Sequence, residues 1–327
     1  MKWSTVNFAE KLPCQWDELA GENIFLKQCF LKHLEKVNPC LQTYNFLKVD
    51  NQFQAIYVDY SLKLDIFTYS FFSLKIPVRI MGIPCSVSKQ GFSVLRGFES
   101  ELWEHFRAKS GAKLILNSSI SLPVKGGDTL PTCKLTIQWS SFGEYLESLR
   151  SSYRYRIKKA QEKWQNVQVN FIKPDAFDKS LYELYEEVFN NSQAKLEKLN
   201  LDFFREISLP SVIIKARVEE ETLGFVQLVT NGPELIFLFT GFNHQLNRKF
   251  DVYLNLLLEI IQFAIENKFT TLDLGQTSEE TKLKLGSQLV RKTMYVSHST
   301  LLLDKLVNKY IKFFSYQVPE YQFHVFK

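Results

Sequence analysis

At 327 residues, with 45% hydrophobic and 14% aromatic residues, the chain is long enough for two domains of ordinary size and too apolar for a disordered protein. Its formal net charge of +5 fits an anionic ligand or an acidic partner, but it is too small to make nucleic acid the main expected partner.

Five cysteines, an odd number with no Cys-x-x-Cys pair, argue against a disulfide framework or a zinc site and fit a reducing compartment. The first residues contain no apolar run fit for a signal peptide. No segment reaches the roughly twenty uninterrupted apolar residues of a transmembrane helix. We therefore expect a cytoplasmic protein without a membrane span.

The first part of the chain predicts a helical start followed by strands and one further helix. The predicted elements are a helix or helix pair over 13–36, strands Tyr44–Val49, Gln54–Tyr60 and Val78–Met81, a helix Phe98–Lys109 and a strand Lys113–Leu116. An aromatic stretch over 66–74 is interpreted as core packing rather than as a ligand cage. A Pro- and Gly-containing stretch over 118–139 then joins two predicted domains, 1–130 and 131–327.

The second domain begins with a helix predicted over 140–164, capped by Ser140 or Ser141. Basic residues flank its apolar stripe on both sides, and Arg154, Arg156 and Lys158 are the candidates for binding an anionic substrate. A solvated helix face with snorkelling stems explains the same pattern equally well.

After a strand, two helices and an antiparallel meander, the chain predicts a βαβ unit. Its parts are a strand Leu235–Phe239 that breaks at Thr240-Gly241, a polar loop, a helix from Asp251 to Glu266 and a strand Thr271–Leu274. A helix N-terminus after such a loop can hold an anion. Asn247, Arg248 and Lys249 are therefore candidate residues for binding a phosphate-containing cofactor. A strand over 293–299 and a helix over 301–314 are predicted to follow.

The first half of the chain repeats this order. With the numbering shifted by 159, Gly82 falls on Gly241, Lys89 on Arg248, and Phe98 on Leu257. The recurrence of strand, glycine, polar loop, helix and strand predicts two related α/β domains, although chance agreement of apolar positions is the alternative.

Three local sequences in this order resemble the GNAT superfamily in its double-domain, Fem-like form, which includes peptidoglycan aminoacyltransferases. They are Tyr153-Arg-Tyr-Arg-Ile-Lys-Lys159, Leu272-Asp-Leu-Gly275 and Lys282-Leu-Lys-Leu-Gly286. The resemblance implies an α/β (α+β mixed sheet) fold of two tandem GNAT-like domains, each a mixed central sheet flanked by helices. The first copy has Gln90 where the second has Lys249 and lacks a Lys-x-x-x-Gly segment, so we expect 1–130 to be a degenerate copy and 131–327 to be the acyltransferase domain.

The resemblance further implies transfer of an acyl group from acetyl-CoA or another acyl-CoA to a primary amine by direct attack, with no metal. Lys282 is implied as the cation near the reacting carbonyl, where it would stabilise developing negative charge, and Lys284 competes for this role. Asp273, Tyr295 and His244 stand at plausible positions for proton transfer. The family's pyrophosphate loop usually contains a glycine, whereas the loop His244–Phe250 has none.

Two other functions stay open at this stage. The chain resembles tRNA-dependent aminoacyltransferases acting on cell-wall precursors, in which case aminoacyl-tRNA would be the donor and a small-molecule or peptide-like amine the acceptor. The other hypothesis is a non-catalytic binding protein that kept the fold, which the missing loop glycine favours.

Overall fold

The structure is a computed structural model that describes residues 1–65, 73–85, 87–192 and 195–327. The aromatic stretch predicted as core packing lies largely outside the described residues. The strands are β1 (Lys2–Val6), β2 (Thr43–Val49), β3 (Gln52–Asp65), β4 (Lys75–Met81), β5 (Phe92–Val94), β6 (Ala112–Ser118), β7 (Gly127–Thr136), β8 (Gln168–Ile172), β9 (Ser211–Val218), β10 (Glu221–Asn231), β11 (Glu234–Phe242), β12 (Thr271–Asp273) and β13 (Gln288–His298).

The helices lie between these strands or follow the last of them along the chain. They are α1 (Gln15–Ala20), α2 (Gln28–Val37), α3 (Glu99–Arg107), α4 (Phe142–Ser148), α5 (Ser151–Trp164), α6 (Lys179–Asn191), α7 (Leu201–Arg205), α8 (His244–Phe250), α9 (Val252–Glu266), α10 (Glu279–Leu283), α11 (Leu301–Lys309) and α12 (Ile311–Phe314). In the described part of the chain, none of these helices has the length and apolar content needed to cross a bilayer.

The chain forms two compact units, each built from segments that are not contiguous in sequence. Unit 1 comprises Met1–Pro131, Gln193–Phe203 and Arg291–Val318, and unit 2 comprises Thr132–Ser192, Phe204–Val290 and Pro319–Lys327. The sequence-based division into 1–130 and 131–327 is a division into contiguous domains and stays a prediction.

Within unit 1 the strand order is β1-β2-β3-β4-β6-β13, and β5 pairs with the first half of β3. The pairs are antiparallel except β4 with β6, which run parallel. Leu102, Trp103 and Phe106 of α3 pack with buried side chains of β3 and β6, as the apolar face predicted for this helix requires.

Within unit 2 the strand order is β7-β12-β11-β10-β9-β8. Here too one pair, β11 with β12, is parallel and the others are antiparallel. The apolar helix α9 crosses between the two parallel strands and buries most of its circumference against the sheet. Both units thus contain a strand–helix–strand crossover between parallel neighbours, and the predicted mixed α/β fold class is confirmed.

Four predicted elements differ in the structure, and one of them is the helix predicted over 301–314, which is the two helices α11 and α12. The single helix predicted over 140–164 is two helices, because Leu149 and Arg150 are extended: Leu149 bridges Phe326, and the Arg150 N–H donates to the Val325 carbonyl at 2.9 Å. Ser141 caps the first of the two, as predicted. Strand β11 does not break at Thr240-Gly241 but runs through to Phe242. The polar loop predicted after it is the helix α8, because the Asn243 side chain caps it by accepting from the next residues' N–H groups.

Candidate active site

The parallel strands β11 and β12 part after a short run of pairing. Their register joins Glu234–Ile236 to Thr271–Asp273, whereas β11 continues to Phe242. Beyond Asp273 the chain stays with β7, because the Leu274 N–H donates to the Cys133 carbonyl at 2.8 Å and the Cys133 N–H to the Gly275 carbonyl at 3.0 Å. The sheet of unit 2 therefore opens at the carboxyl ends of its two parallel strands, a common location for ligand sites in α/β folds.

Lys282 of α10 lies at this opening and is buried, with 1% of its surface exposed. Its Nζ donates to the Gln276 carbonyl at 2.7 Å and lies 3.4 Å from the Gly275 carbonyl. The same atom stands 5.8 Å from the centre of the Phe237 ring, at the first residue of β11 past the paired segment. A single turn of helix thus places a lysine ammonium between the two parted strands.

Burial lowers the pKa of Lys282 to about 8, while the Cys133, Glu279 and Asp273 side chains near it oppose that change. Burial raises the pKa of the Cys133 thiol to about 11, so the thiol keeps its proton at neutral pH. The Glu279 and Asp273 side chains thus favour the charged form of the Lys282 amine. Buried ionisable groups with such shifts are typical of functional sites.

Tyr253, in the first turn of α9, extends the same cluster. Its hydroxyl is hydrogen bonded to Ser278, and burial raises its pKa well above the usual range. The loop that carries Ser278 is strained, because Thr277 and Ser278 have φ angles of 62° and 50° although neither is glycine. Left-handed non-glycine residues cost about 1–3 kcal/mol each and are concentrated at functional sites.

Asp273 is fully buried, and its role in the structure is to position the backbone. Its Oδ1 accepts from the Thr132 hydroxyl at 2.6 Å and from the Gly275 N–H at 2.9 Å. Lys134 lies 4.0 Å from the other carboxylate oxygen. Asp273 thereby fixes the turn beside Lys282 at which the chain, after β12, ends its pairing with β11. Its predicted catalytic role stays a prediction.

Tyr295, the third predicted catalytic residue, belongs to unit 1 and not to the cluster in unit 2. It is buried, and its hydroxyl donates to the Ile120 carbonyl and accepts from the Leu122 N–H, both at 3.0 Å. These two bonds hold the chain at 120–122. Lys284, the competitor of Lys282, pairs with Glu280 and stands 5.2 Å from the Phe323 ring centre, on the more exposed side of α10.

The three predicted cofactor residues lie on α8, directly before α9. Arg248 and Lys249 are exposed, and the Asn247 Oδ1 accepts from the Tyr253 N–H at 3.0 Å, which ties α8 to the first turn of α9. Asp251, between the helices, has a φ of 47° and pairs with Lys163 at 2.8 Å. Aspartate is one of the residue types that tolerate this left-handed conformation.

The three predicted substrate residues on α5 differ in their surroundings. Arg154 donates from Nη1 to the Glu147 carbonyl at 3.3 Å and so helps to cap α4. Lys158 is exposed. The pKa of Glu280 is lowered mainly by the hydrogen bond and the charge of Lys284, and to a lesser extent by the charge of Arg156. Arg156 therefore lies near the helix that carries Lys282.

Gly286, the glycine of the Lys-x-x-x-Gly motif, is explained by the C-terminal segment. Its φ is 93°, and a Cβ atom at this position would lie 2.1 Å from Cζ of Phe326. The Phe326 ring also packs against Trp139, and its carbonyl accepts from Arg150 Nε at 3.0 Å. The glycine lets the last residues of the chain pack beside α10.

Sequence reasoning missed Cys133, Glu279 and Tyr253. No local motif marks them, because they come from β7, α10 and α9 and meet only through the parting of β11 and β12. Across the parts of the chain that the structure describes, no group of three His, Cys, Asp or Glu residues could hold a metal ion.

The lowered pKa of Lys282 makes stability depend on pH. Between about 8 and the ordinary value of 10.5, the unfolded chain binds a proton that the folded chain lacks, so this group's contribution to the free energy of unfolding rises with pH. The rise amounts to roughly 3 kcal/mol at 1.36 kcal/mol per pKa unit. We expect urea titrations at several pH values to show that the free energy of unfolding of Lys282→Met lacks this rise with pH. An equal dependence of the free energy of unfolding on pH in the parent protein and in Lys282→Met would contradict a buried, titrating Lys282.

The sequence was compared with protein families and with known proteins. The family model described as an acetyltransferase (GNAT) domain matches residues 147–283. No match was found among curated proteins. These 137 residues lie mainly in unit 2 and include the parted strands, α9 and Lys282.

Solved structures with the same fold cover most of the chain. FemX aligns with a TM-score of 0.51 at 12% identity, over 81% of this chain and 90% of FemX. The C-terminal domain of a putative lysylphosphatidylglycerol synthetase from Agrobacterium fabrum aligns with a TM-score of 0.51 at 11% identity, over 89% and 95%. N-myristoyltransferase from Saccharomyces cerevisiae, solved with bound myristoyl-CoA, aligns with a TM-score of 0.52 at 9% identity, over 90% and 79%.

The family model for GNAT acetyltransferase domains thus matches the segment that contains the parted parallel strands, α9 and Lys282, and this segment is less than half of the chain. The chain as a whole has the mixed α/β fold of FemX and the other aligned structures, so the predicted resemblance is confirmed. At these low identities the structural likeness establishes the fold and does not establish donor or acceptor.

Proposed function

We propose that unit 2 is an N-acyltransferase that moves an acyl group from an acyl-CoA to a primary amine by direct attack. The observation that carries this proposal is the buried Lys282 ammonium between the parted ends of β11 and β12. A charge held in a low-dielectric cleft is suited to stabilising the oxyanion that forms when an amine adds to a thioester carbonyl.

Other residues of the cluster supply the proton transfers in this proposal. The attacking amine must lose a proton, and Glu279, 7% exposed and on the same helix turn as Lys282, is the carboxylate that we assign as acceptor. The departing thiolate must gain one, and the Tyr253 hydroxyl, which is hydrogen bonded to Ser278, is assigned as donor. After product release Glu279 gives up the proton that it accepted and Tyr253 regains one by exchange with solvent. Lys282, Glu279 and Tyr253 would act by position and charge, without a covalent enzyme intermediate.

The donor's phosphates are assigned to the junction of α8 and α9. Arg248, Lys249 and Lys163 bring positive charge to the N-terminus of a fifteen-residue helix, where backbone N–H groups and the helix dipole favour anions. The edge of β11 that extends beyond its pairing with β12, from Phe237 to Phe242, would lie beside the extended arm of the same donor. The carboxylate of Asp251, at the junction itself, opposes an anion there.

This assignment makes two substitutions act in opposite directions on the affinity for coenzyme A, measured by calorimetric titration at low and moderate salt. Arg248→Ala with Lys249→Ala should weaken binding of coenzyme A by about fivefold or more, because it removes two positive charges near the helix N-terminus. Asp251→Gly should strengthen binding, because it removes a negative charge and a strained backbone conformation. It also frees Lys163 from its ion pair with Asp251. Lys173→Ala with Lys179→Ala, which removes two exposed lysines elsewhere on unit 2, is the matched control and should leave affinity unchanged. No saturable binding by the parent protein would contradict the acyl-CoA proposal.

A second candidate, an aminoacyl-tRNA-dependent transferase of Fem type acting on a cell-wall precursor, is favoured by one observation. The exposed side of α5 carries Arg156, Lys158 and Lys159, and Arg156 borders the helix of Lys282. Titration with deacylated tRNA separates the two candidates. Binding of tRNA that weakens steeply with salt and is lost in Arg156→Ala with Lys158→Ala, together with no binding of coenzyme A, would replace the first candidate by the second.

A further inference from the structure

The two C-terminal helices of unit 1, α11 and α12, turn an apolar face to solvent. Leu302, Leu306 and Tyr310 follow one another at intervals of four residues and are 68%, 43% and 53% exposed. Residues four apart lie on the same side of a helix, so these side chains form one stripe, and Leu303, 44% exposed, stands beside it. We call these four residues the outer stripe.

The opposite side of α11 is attached to unit 1 through polar groups. The Asp304 Oδ1 accepts from the His298 N–H at 2.9 Å, and its other oxygen lies 3.7 Å from Arg107 Nη2. Asn308 donates to the Asp304 carbonyl at 2.8 Å, and Ile311 is fully buried. The helix is therefore anchored through Asp304 on its inner side, while Leu302, Leu303 and Leu306 lie on its outer side.

Positive charge runs along one edge of the outer stripe. Lys305, Lys309 and Lys312 are exposed, and their spacing of four and three residues places them on neighbouring turns. Asp304 is the single acidic residue of the sequence 301–314, and it points inward. The exposed side of these helices thus carries leucine, tyrosine and lysine beside one another, with no exposed carboxylate of its own segment.

We propose that the outer stripe and its lysines dock unit 1 onto an anionic lipid bilayer surface. Apolar side chains that enter the headgroup region, with lysines flanking them, are the composition of interfacial helices. A protein partner fits less well, because lysine is depleted at the centres of protein–protein interfaces. The charge of the whole chain, +5, has the sign that anionic headgroups attract. This proposal is independent of the chemistry assigned to unit 2.

The test is sedimentation of the full chain with vesicles of phosphatidylcholine, with or without phosphatidylglycerol, at low and moderate salt. We expect binding that requires phosphatidylglycerol and weakens with salt. Leu302→Ser with Leu306→Ser should reduce the partition coefficient about tenfold or more, because apolar burial is lost. Leu95→Ser, at an exposed leucine elsewhere on unit 1, is the control and should change little.

A second pair of variants distinguishes the effect of the lysines beside the outer stripe on vesicle binding from the effect of the net charge of the protein. Lys305→Gln, Lys309→Gln and Lys312→Gln together should weaken binding about tenfold or more, at roughly 1 kcal/mol for each lysine near the surface. Lys32→Gln, Lys63→Gln and Lys75→Gln together change the net charge equally at exposed sites outside these helices and should have little effect. Equal losses in both triple variants, or no vesicle binding by the parent protein, would overturn the proposal. So would a dimer abolished by Leu302→Ser with Leu306→Ser, since the stripe would then be a protein interface.

Discussion

Replacing Lys282 by methionine is expected to lower the turnover number for acyl transfer about tenfold or more, equivalent to about 1.4 kcal/mol of barrier. Methionine keeps much of the side-chain volume in a site that is 1% exposed, so the loss would come from the charge and not from a cavity. The measurement is release of free coenzyme A from acetyl-CoA with a panel of primary amines. Turnover unchanged in Lys282→Met would remove this residue from the mechanism.

The pH profile of the parent enzyme tells whether the charge of Lys282 is used. With a pKa of about 8, the ammonium loses its proton above that pH, so an enzyme that needs an oxyanion-stabilising cation should show falling turnover there. Lys282→Arg should retain partial activity and lose this falling limb, since arginine stays protonated. Turnover that rises through pH 8 would instead assign Lys282 as a base.

Gly241→Ala is expected to destabilise unit 2 by about 3 kcal/mol, at the upper end of the cost of overpacking. A Cβ atom at this position would lie 2.5 Å from the Tyr185 nitrogen and 2.6 Å from the Leu184 carbonyl carbon, which are backbone atoms of α6. Because backbone cannot rotate away, helix and strand must separate. The effect is measured by following hydrogen exchange of the α9 amides at increasing urea concentration and comparing the midpoints of unfolding of the variant and the parent protein.

Gly143→Ala is the matched control for this substitution. Gly143 lies in α4 of the same unit, and a Cβ atom there would have one near neighbour, Ser141 Oγ, at an ordinary contact distance of 3.8 Å. Alanine should stabilise this helix by about 0.5 kcal/mol, because glycine loses more backbone entropy on folding. If both substitutions destabilised equally, close approach of α6 to β11 would not be the reason for glycine at 241.

The crossover that carries the site follows from local pattern in the sequence. Side chains repeat every two residues along a strand and about every 3.6 residues along a helix, so each element of the crossover has a recognisable pattern. These patterns are the apolar run at Leu235, the narrow polar stripe of α9 and the short apolar strand that ends at Asp273. Their order predicts a βαβ unit, and the parallel register of Glu234–Ile236 with Thr271–Asp273 agrees with it. The same order of strand, helix and strand can be recognised in the first half of the chain because its elements have the same local patterns.

Other features depend on contacts that no local window contains. The break between α4 and α5 arises because Leu149 and Arg150 pair with the last residues of the chain, which lie far away in sequence. The strand β11 continues through Gly241 because α6 packs against it there. The cluster around Lys282 joins β7, α9 and α10, so Cys133, Glu279 and Tyr253 carry no signal in their own neighbourhoods.

The most direct test of the proposed function is hydrogen exchange of the full chain with and without saturating acetyl-CoA. We predict slower exchange with acetyl-CoA at two places in unit 2. One is Leu238–Thr240, on the edge of β11 beyond its pairing with β12, and the other is the first turn of α9, around Tyr253. Exchange in unit 1 should be unchanged. That result would locate the donor at the parted strands, beside Lys282. Protection confined to unit 1, or no protection at all, would contradict the assignment of unit 2 as an acyl-CoA-dependent transferase.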